Sequence, residues 1–240
     1  MTKSELLYEG KAKKIFSNPK DSKKVVVWFK DSLTAFNAKK LGSFENKGAI
    51  NRDIASLIFQ YLKKCKIDNH WVQDLGSNEM MVKKLKIIPL EVVVRNILAG
   101  STAKKLGILE GKILKAPLVE FYYKNDALED PFVSDDQVLM MGIVKEKEIT
   151  VLKKKALLIN REIKKLFTKS GMDLVDFKIE FGKDSKGKIL LADEITPDCC
   201  RLWDHKTKEK MDKDRFRRDL GKIDSSYQEV LVRLKKQLKF

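Results

Sequence analysis

Two acids and a lysine occupy every second position of an apolar run, Val175-Asp-Phe-Lys-Ile-Glu-Phe-Gly182, and a further acid, Asp193, follows within Lys188-Ile-Leu-Leu-Ala-Asp-Glu-Ile195. Side chains alternate across a strand, so Asp176, Lys178 and Glu180 share one face while Val175, Phe177, Ile179 and Phe181 share the other. A two-residue turn at Lys186-Gly187 would pair Ser185 with Lys188 and set Glu180 directly opposite Asp193. Facing carboxylates either share a proton or hold a cation. An all-oxygen pair suits Mg²⁺ beside phosphates better than it suits zinc. A solvated acidic patch is the plain alternative, and a different turn would shift the register.

Three further segments carry chemistry. Gly10-Lys11-Ala12-Lys13 lies between two strand-like runs, where a glycine lets backbone approach a ligand and two lysines can neutralise a polyphosphate. It lacks the second glycine and the Lys-Ser/Thr ending of a P-loop. It reads either as a strand covering nucleotide phosphates or as an ordinary basic hairpin. Arg95 closes the apolar run Leu90-Glu-Val-Val-Val-Arg95, and Gly100-Ser101-Thr102 follows. Ser101 or Thr102 is expected to cap a short helix, Ala103–Leu106, that Gly107 ends. With Arg95 and Lys104 nearby, that helix start would suit an anion. The alternative is a structural ion pair of Arg95, for example with Glu91. Arg201, in Thr196-Pro-Asp-Cys-Cys-Arg201-Leu-Trp-Asp204, follows the second hairpin strand and would add a guanidinium near the acids. Trp203 reads as core and Cys199 and Cys200 as space-filling. His70 and His205 have no metal-ligand partners at zinc spacing, and His70 reads as a surface or strand-edge residue.

The elements that must position these groups follow from periodicity. Leu6-Leu7-Tyr8, Gly10–Phe16, Val25–Phe29, Trp71-Val72, Met80–Val82 and Leu90–Val94 read as strands. Lys47–Lys64 and Glu148–Thr168 read as helices, and a last helix capped by Asp224 or Ser225 carries the stripe Tyr227, Val230, Leu231, Leu234 and Leu238. Pro89 is expected to break two strands apart and to lie near a lobe boundary. Strands and helices do not alternate regularly, so the fold class is α+β rather than doubly wound.

The chain has 240 residues, 43% hydrophobic and 35% charged, enough for one large domain or two lobes. No apolar run reaches membrane-spanning length and the first residues lack a signal-peptide core. Three cysteines, two of them adjacent, fit a reducing cytoplasm. The net charge of +16 raises RNA binding, but only eight of the 50 basic residues are Arg, and the lysines are spread along almost the whole length. No kinase His-Arg-Asp or Asp-Phe-Gly is present, and no nucleophile elbow.

Taken together, Tyr8-Glu-Gly-Lys-Ala-Lys13, Glu91-Val-Val-Val-Arg-Asn-Ile-Leu-Ala-Gly-Ser101, Leu174–Gly182, Ala192-Asp-Glu-Ile-Thr-Pro-Asp198, Arg201–Asp204 and Met211-Asp-Lys-Asp-Arg-Phe-Arg217 resemble the phosphoribosylaminoimidazole-succinocarboxamide synthase (SAICAR synthetase) family nearly end to end. The resemblance implies a two-lobed fold with an antiparallel-sheet N-terminal lobe (1–87), a larger mixed C-terminal lobe (88–240) and an ATP cleft between them. It implies ligation of L-aspartate to carboxyaminoimidazole ribonucleotide (CAIR), driven by ATP with Mg²⁺, through an acyl phosphate. Matching positions would give Lys11, Ala12 and Lys13 to the ATP phosphates and Ile15, Val25, Leu85 and Ile87 to adenine, with Lys124 approaching ATP. Glu180 and Asp193 would bind Mg²⁺ and, with Lys178, form the catalytic group. Arg95, Ser101 and Arg201 would grip the CAIR phosphate, with Asp176 and Lys178 facing that substrate. Lys47 and Arg215 are the candidates for aspartate. Small-molecule partners, no nucleic acid, no membrane and a cytoplasmic homo-oligomer, a dimer first, are expected. The chain departs from the family at Asn37, where others carry Asp, and at Cys199-Cys200, where small polar residues are frequent.

Overall fold

The computed structural model describes residues 5–35 and 39–239, and within them period-two apolar runs become strands and helical-period runs become helices. The fold is α+β, with antiparallel sheets. β1 (Leu6–Glu9), β2 (Lys13–Ser17) and β3 (Lys24–Phe29) form a meander. β4 (Ser32–Ala35) and β5 (Lys40–Ser43) pair as a separate ribbon, and α1 (Lys47–Lys64) follows. β6 (Trp71–Gly76) and β7 (Glu79–Lys83) then complete a five-stranded sheet in the order β1-β2-β3-β7-β6. Val25, Val27 and Phe29 alternate inward from β3 to join Ile54, Leu57 and Ile58 of α1 in the core. Gly48 has no Cβ to strike the Phe29 carbonyl, and the Asp31 carboxylate accepts from its N–H (2.8 Å), so the start of α1 seats directly on β3.

A second sheet is built from β8 (Lys86–Ile97), β9 (Ile113–Tyr123), β10 (Phe132–Val133), β11 (Met172–Lys183), β12 (Ile189–Ala192) and β13 (Cys200–Asp204). Its order is β10-β9-β8-β11-β12, with β13 pairing β11 on the same edge as β12. α2 (Gly100–Lys105) follows β8; α3 (Asp135–Met140) and α4 (Glu146–Lys169) precede β11; α5 (Asp214–Arg217) and α6 (Ile223–Leu238) close the chain. Alternation gives this sheet two unlike faces. Val92, Val94, Phe121, Phe177, Ile179 and Phe181 are buried with the α4 stripe Ile149, Leu152, Ala156, Ile159 and Ile163. Each such side chain contributes on the order of 1.5–3 kcal/mol by leaving water. The opposite rows carry Glu91 and Arg95, Glu120 and Tyr122, and Asp176, Lys178 and Glu180.

Four local expectations are corrected. Asp184 accepts from the N–H groups of Lys186 and Lys188 (both 2.9 Å) and its own N–H donates to the Lys188 carbonyl, so the hairpin has a three-residue loop with Gly187 at φ +77°. The register therefore moves by one: Glu180 pairs with Ala192, and Asp193 lies just past β12 at φ +61°. Val175 sits at a bulge against β13 and joins Ala99 and Trp203 rather than the Phe177 face. Pro89 lies inside β8, where the pairing with β11 shifts register; the irregularity tolerates a residue with no N–H. The expected side-chain caps are not formed. α2 is preceded by Ala99, and α6 by Lys222 at φ +51°, although its expected buried stripe is present.

Candidate active site

A cleft of about 420 Å³ is lined by residues of both sheets and the Lys84-Leu85 connection between them. Lys11, Ala12, Lys13, Ile15, Val25, Leu85, Ile87 and Lys124 all line it, as do Lys178, Glu180 and Asp193. Its apolar part comes from β2, β3 and β7, through Ile15, Val25, Val27, Met80 and Val82. The connection passes close to β11 because Gly182 has no side chain; a Cβ there would lie 2.8 Å from the Leu85 Cβ.

The charged end of the cleft is a lattice of alternating signs. The Lys13 ammonium bonds the carboxylates of Asp193 and Glu194. Lys124 Nζ donates to both Glu180 oxygens (2.6 and 2.7 Å), Lys178 pairs with Glu91, and Lys11 pairs with Asp126 (2.8 Å). Burial would raise the Glu180 carboxyl, but Lys124, Lys178 and Lys13 outweigh it and hold the group below its ordinary range. Burial pushes Asp193 up to about 7 and Lys13 down to about 7, the latter shift opposed by the nearby Glu180 charge. Glu180 and Asp193 thus border one cavity, each bonded to a different lysine, Lys124 and Lys13, rather than facing across a ladder rung.

Arg95, Asp176 and Arg201 form a second cluster, outside the lining of that cleft. Arg95 donates to Glu120 (2.7 Å), Asp176 (2.9 Å) and the Tyr122 hydroxyl (3.2 Å), not to Glu91. Arg201 Nη1 donates to both Asp176 oxygens (3.1 and 2.9 Å), and its Nε to Asp214 (3.0 Å). Gly100 has φ +62°, and a Cβ there would collide with the Arg201 guanidinium, which lies against the start of α2. Ser101 is exposed in the first turn of that helix.

Lys47 and Arg215 are engaged elsewhere. Lys47 is 1% exposed, its ammonium on Asp198, which also accepts from Asn51 (2.8 Å) and the Tyr227 hydroxyl (2.9 Å). Arg215 spends its guanidinium on the carbonyls of Gly221 (2.7 Å), Lys210 (3.0 Å) and Leu220 (3.2 Å). The aspartate expectation therefore finds no open donor at either. Asn37 lies outside the described residues. Trp203 is 9% exposed beside Ala99 and Val175, and the Cys199 thiol contacts the Glu194 and Thr196 carbonyls (3.3 and 3.4 Å).

Sequence reasoning missed Glu91, Glu194 and His70 in the cleft wall. Glu91 was legible as the odd-position acid of β8, and Glu194 as the neighbour of Asp193. His70 is not at the surface: it is 6% exposed and packs edge-on to Phe59, with centroids 5.2 Å apart. Its burial depends on an isolated bridge between Asn69 and Leu191, which no local pattern announces.

The SAICAR synthetase family model matches residues 6–234. A curated relative, phosphoribosylaminoimidazole-succinocarboxamide synthase of Shouchella clausii (strain KSM-K16), is 52% identical over 234 residues, 98% of each chain. The crystal structure of the enzyme of that name from Ehrlichia chaffeensis superposes with a TM-score of 0.94 at 44% identity, over 96% of this chain and 98% of that one. A SAICAR synthetase in complex with ADP gives 0.92 at 44% identity, over 95% and 97%.

Proposed function

The chain belongs to the SAICAR synthetase family, ATP-dependent ligases of purine biosynthesis, and from that premise we propose that it joins the amine of L-aspartate to the carboxylate of CAIR. The observation that carries this reading is one cleft with an apolar wall for a base and, at its end, four lysines (Lys11, Lys13, Lys124, Lys178) paired with five acids (Glu91, Asp126, Glu180, Asp193, Glu194). The ADP complex of a relative supports the same use of the cleft.

A carboxylate and an amine do not condense in water, so the carboxylate is activated first. Its oxygen attacks the γ-phosphorus, the bond to the leaving ADP breaks, and an acyl phosphate forms. The aspartate nitrogen then attacks the acyl carbon; a C–N bond forms, the C–O bond to phosphate breaks and the amine sheds a proton. Positioning and charge neutralisation carry such a transfer. Lys11, Lys13 and Lys124 hold the ATP phosphates, with the Ala12 backbone beside them, and Ile15, Val25, Leu85 and Ile87 wall the adenine. Arg95, Ser101 and Arg201 take the CAIR phosphate, and Asp176 and Lys178 face that substrate. Residues 1–87 cover the nucleotide while 88–240 carry substrate and metal groups. No aspartate ligand is assigned, because Lys47 and Arg215 are committed.

Glu180 and Asp193 are the residues that would hold Mg²⁺. The donor set fits a hard ion completed by phosphate oxygens: both groups are carboxylates, and among the described residues no three His, Cys, Asp or Glu gather closely enough to hold a metal alone. When bound, the ion neutralises charge on the phosphoryl oxygens. A cytoplasmic homodimer is the working form we propose, checked by light scattering and fractionation. No helix among the described residues is long and apolar enough to cross a membrane.

The deciding measurement is ADP release with CAIR, with and without aspartate. Amide formation matched to ADP is expected. ADP release without aspartate and without amide would point to a kinase, and RNA binding without turnover would overturn the ligase reading.

A further inference from the structure

Asp214 is 2% exposed in α5, outside the lining of the nucleotide cleft, and each of its oxygens is taken by an arginine. Oδ2 accepts from Arg201 Nε (3.0 Å) and Oδ1 from Arg217 Nη1 (2.6 Å). The other acid of the 211–217 run explains why it sits there. Asp212 is fully buried, and its carboxylate accepts from the Leu202 N–H in β13 (2.8 Å) and from the Asp214 N–H (2.7 Å). One side chain thus ties α5 to the strand that carries Arg201. The bond to Arg217, three residues on, keeps Oδ2 turned toward Arg201.

Arg201 is in turn held at two separate nitrogens. Asp176, on β11, takes Nη1 with both oxygens (3.1 and 2.9 Å), while Asp214 takes Nε. A flat guanidinium held at one nitrogen can swing about that bond; held at two, it has one orientation. The remaining amine, Nη2, has no hydrogen-bond partner among the described residues and lies beside Gly100, next in the chain to Ser101.

We propose that Asp214 is a positioning residue for the CAIR phosphate: it fixes the orientation of Arg201 so that Nη2 is the donor presented to that phosphate, and it acts on the substrate through Arg201 alone. This rests on the reading that Arg201 takes the CAIR phosphate. The sign of the effect separates position from charge. A carboxylate near a phosphate repels it, so if Asp214 acted by charge alone, neutralising it would tighten CAIR binding. Positioning gives the opposite result. In Asp214→Asn one acceptor oxygen remains and the amide turns N–H donors toward the second arginine, so both cannot be held.

The test is a double-mutant cycle read by steady-state kinetics, with CAIR and ATP varied separately. Asp214→Asn should raise the KM for CAIR about tenfold, while kcat and the KM for ATP stay within about twofold of wild type. Arg201→Lys keeps the charge but has no flat fork to orient, so adding Asp214→Asn to it should raise the KM for CAIR no further. An unchanged or lower KM for CAIR in Asp214→Asn overturns the inference, as do single effects that multiply to about a hundredfold in the double variant. A fall in kcat with a rise in both KM values marks a merely structural role and overturns it too. If Asp214→Asn does not fold, Asp214→Glu, which keeps the charge one methylene away, decides. A rise in KM confined to CAIR supports positioning; wild-type kinetics, or a second failure to fold, sinks it. If Arg201→Lys itself leaves the KM for CAIR unchanged, the phosphate reading of Arg201 fails, and the role of Asp214 falls with it.

Discussion

Lysine meets aspartate in two very different settings in this molecule. On the cleft wall, Lys13 bonds Asp193 and Glu194, with side chains 16%, 19% and 7% exposed. Where α1 packs on α6, Lys47 bonds Asp198 with 1% and 5% exposed, and Asn51 and Tyr227 saturate the carboxylate. The sealed pair is fully answered by protein and has no surface left for a ligand. The cleft pair borders a cavity, and burial works against the charge of both partners. The same two residue types thus make a pin in one place and a receptive surface in the other. What separates them is not the ion pair but the space beside it.

That contrast breaks if the two carboxylates respond alike to mutation. Asp193→Asn should cut turnover by roughly 10³–10⁴-fold, because the lost charge faces the phosphoryl chemistry. Its melting temperature should hold or rise, and full activity in this variant would refute the assignment. Asp198→Ala should do the reverse: removing one partner of a buried pair costs about 3–5 kcal/mol. Urea unfolding would show that loss, while turnover per folded molecule stays near wild type. Arg201→Lys, which loses the flat two-pronged contact, should raise the KM for CAIR by about tenfold. Equal weakening of ATP would contradict a substrate-phosphate role.

Acid gives the smallest and most specific test. Burial alone would raise the Asp198 carboxyl, but Lys47, Lys213 and the Tyr227 hydroxyl hold it well below the usual carboxylate range. A depressed folded pKa contributes stability that is fully present above the unfolded value of about 3.9 and fades as pH falls through and below it. The stability gap between wild type and Asp198→Asn should therefore be constant from pH 7 to 5 and narrow below pH 4. A gap that widens on acidification would mean that the charge is not what the pin supplies.

Much of this was readable from the chain, for reasons that are local. The two faces of β11 and β8 follow from strict alternation, and α1 begins and ends where its apolar period does. Register was not readable, since it hung on one side chain. Asp184 captures two loop N–H groups and turns a two-residue turn into a three-residue one, which slides Asp193 off the ladder. The burial of His70 and the commitment of Lys47 arise from contacts with Leu191 and Asp198, more than a hundred residues away. Window-based reading has no access to such pairings.

Because the Arg201 guanidinium lies where a side chain at Gly100 would be, the loop after β8 and the strand β13 meet through a single missing methyl group. Any larger residue there would act as a wedge, levering the cation out of plane without touching a charge. Electrostatic aim in this corner of the protein is set by a steric vacancy.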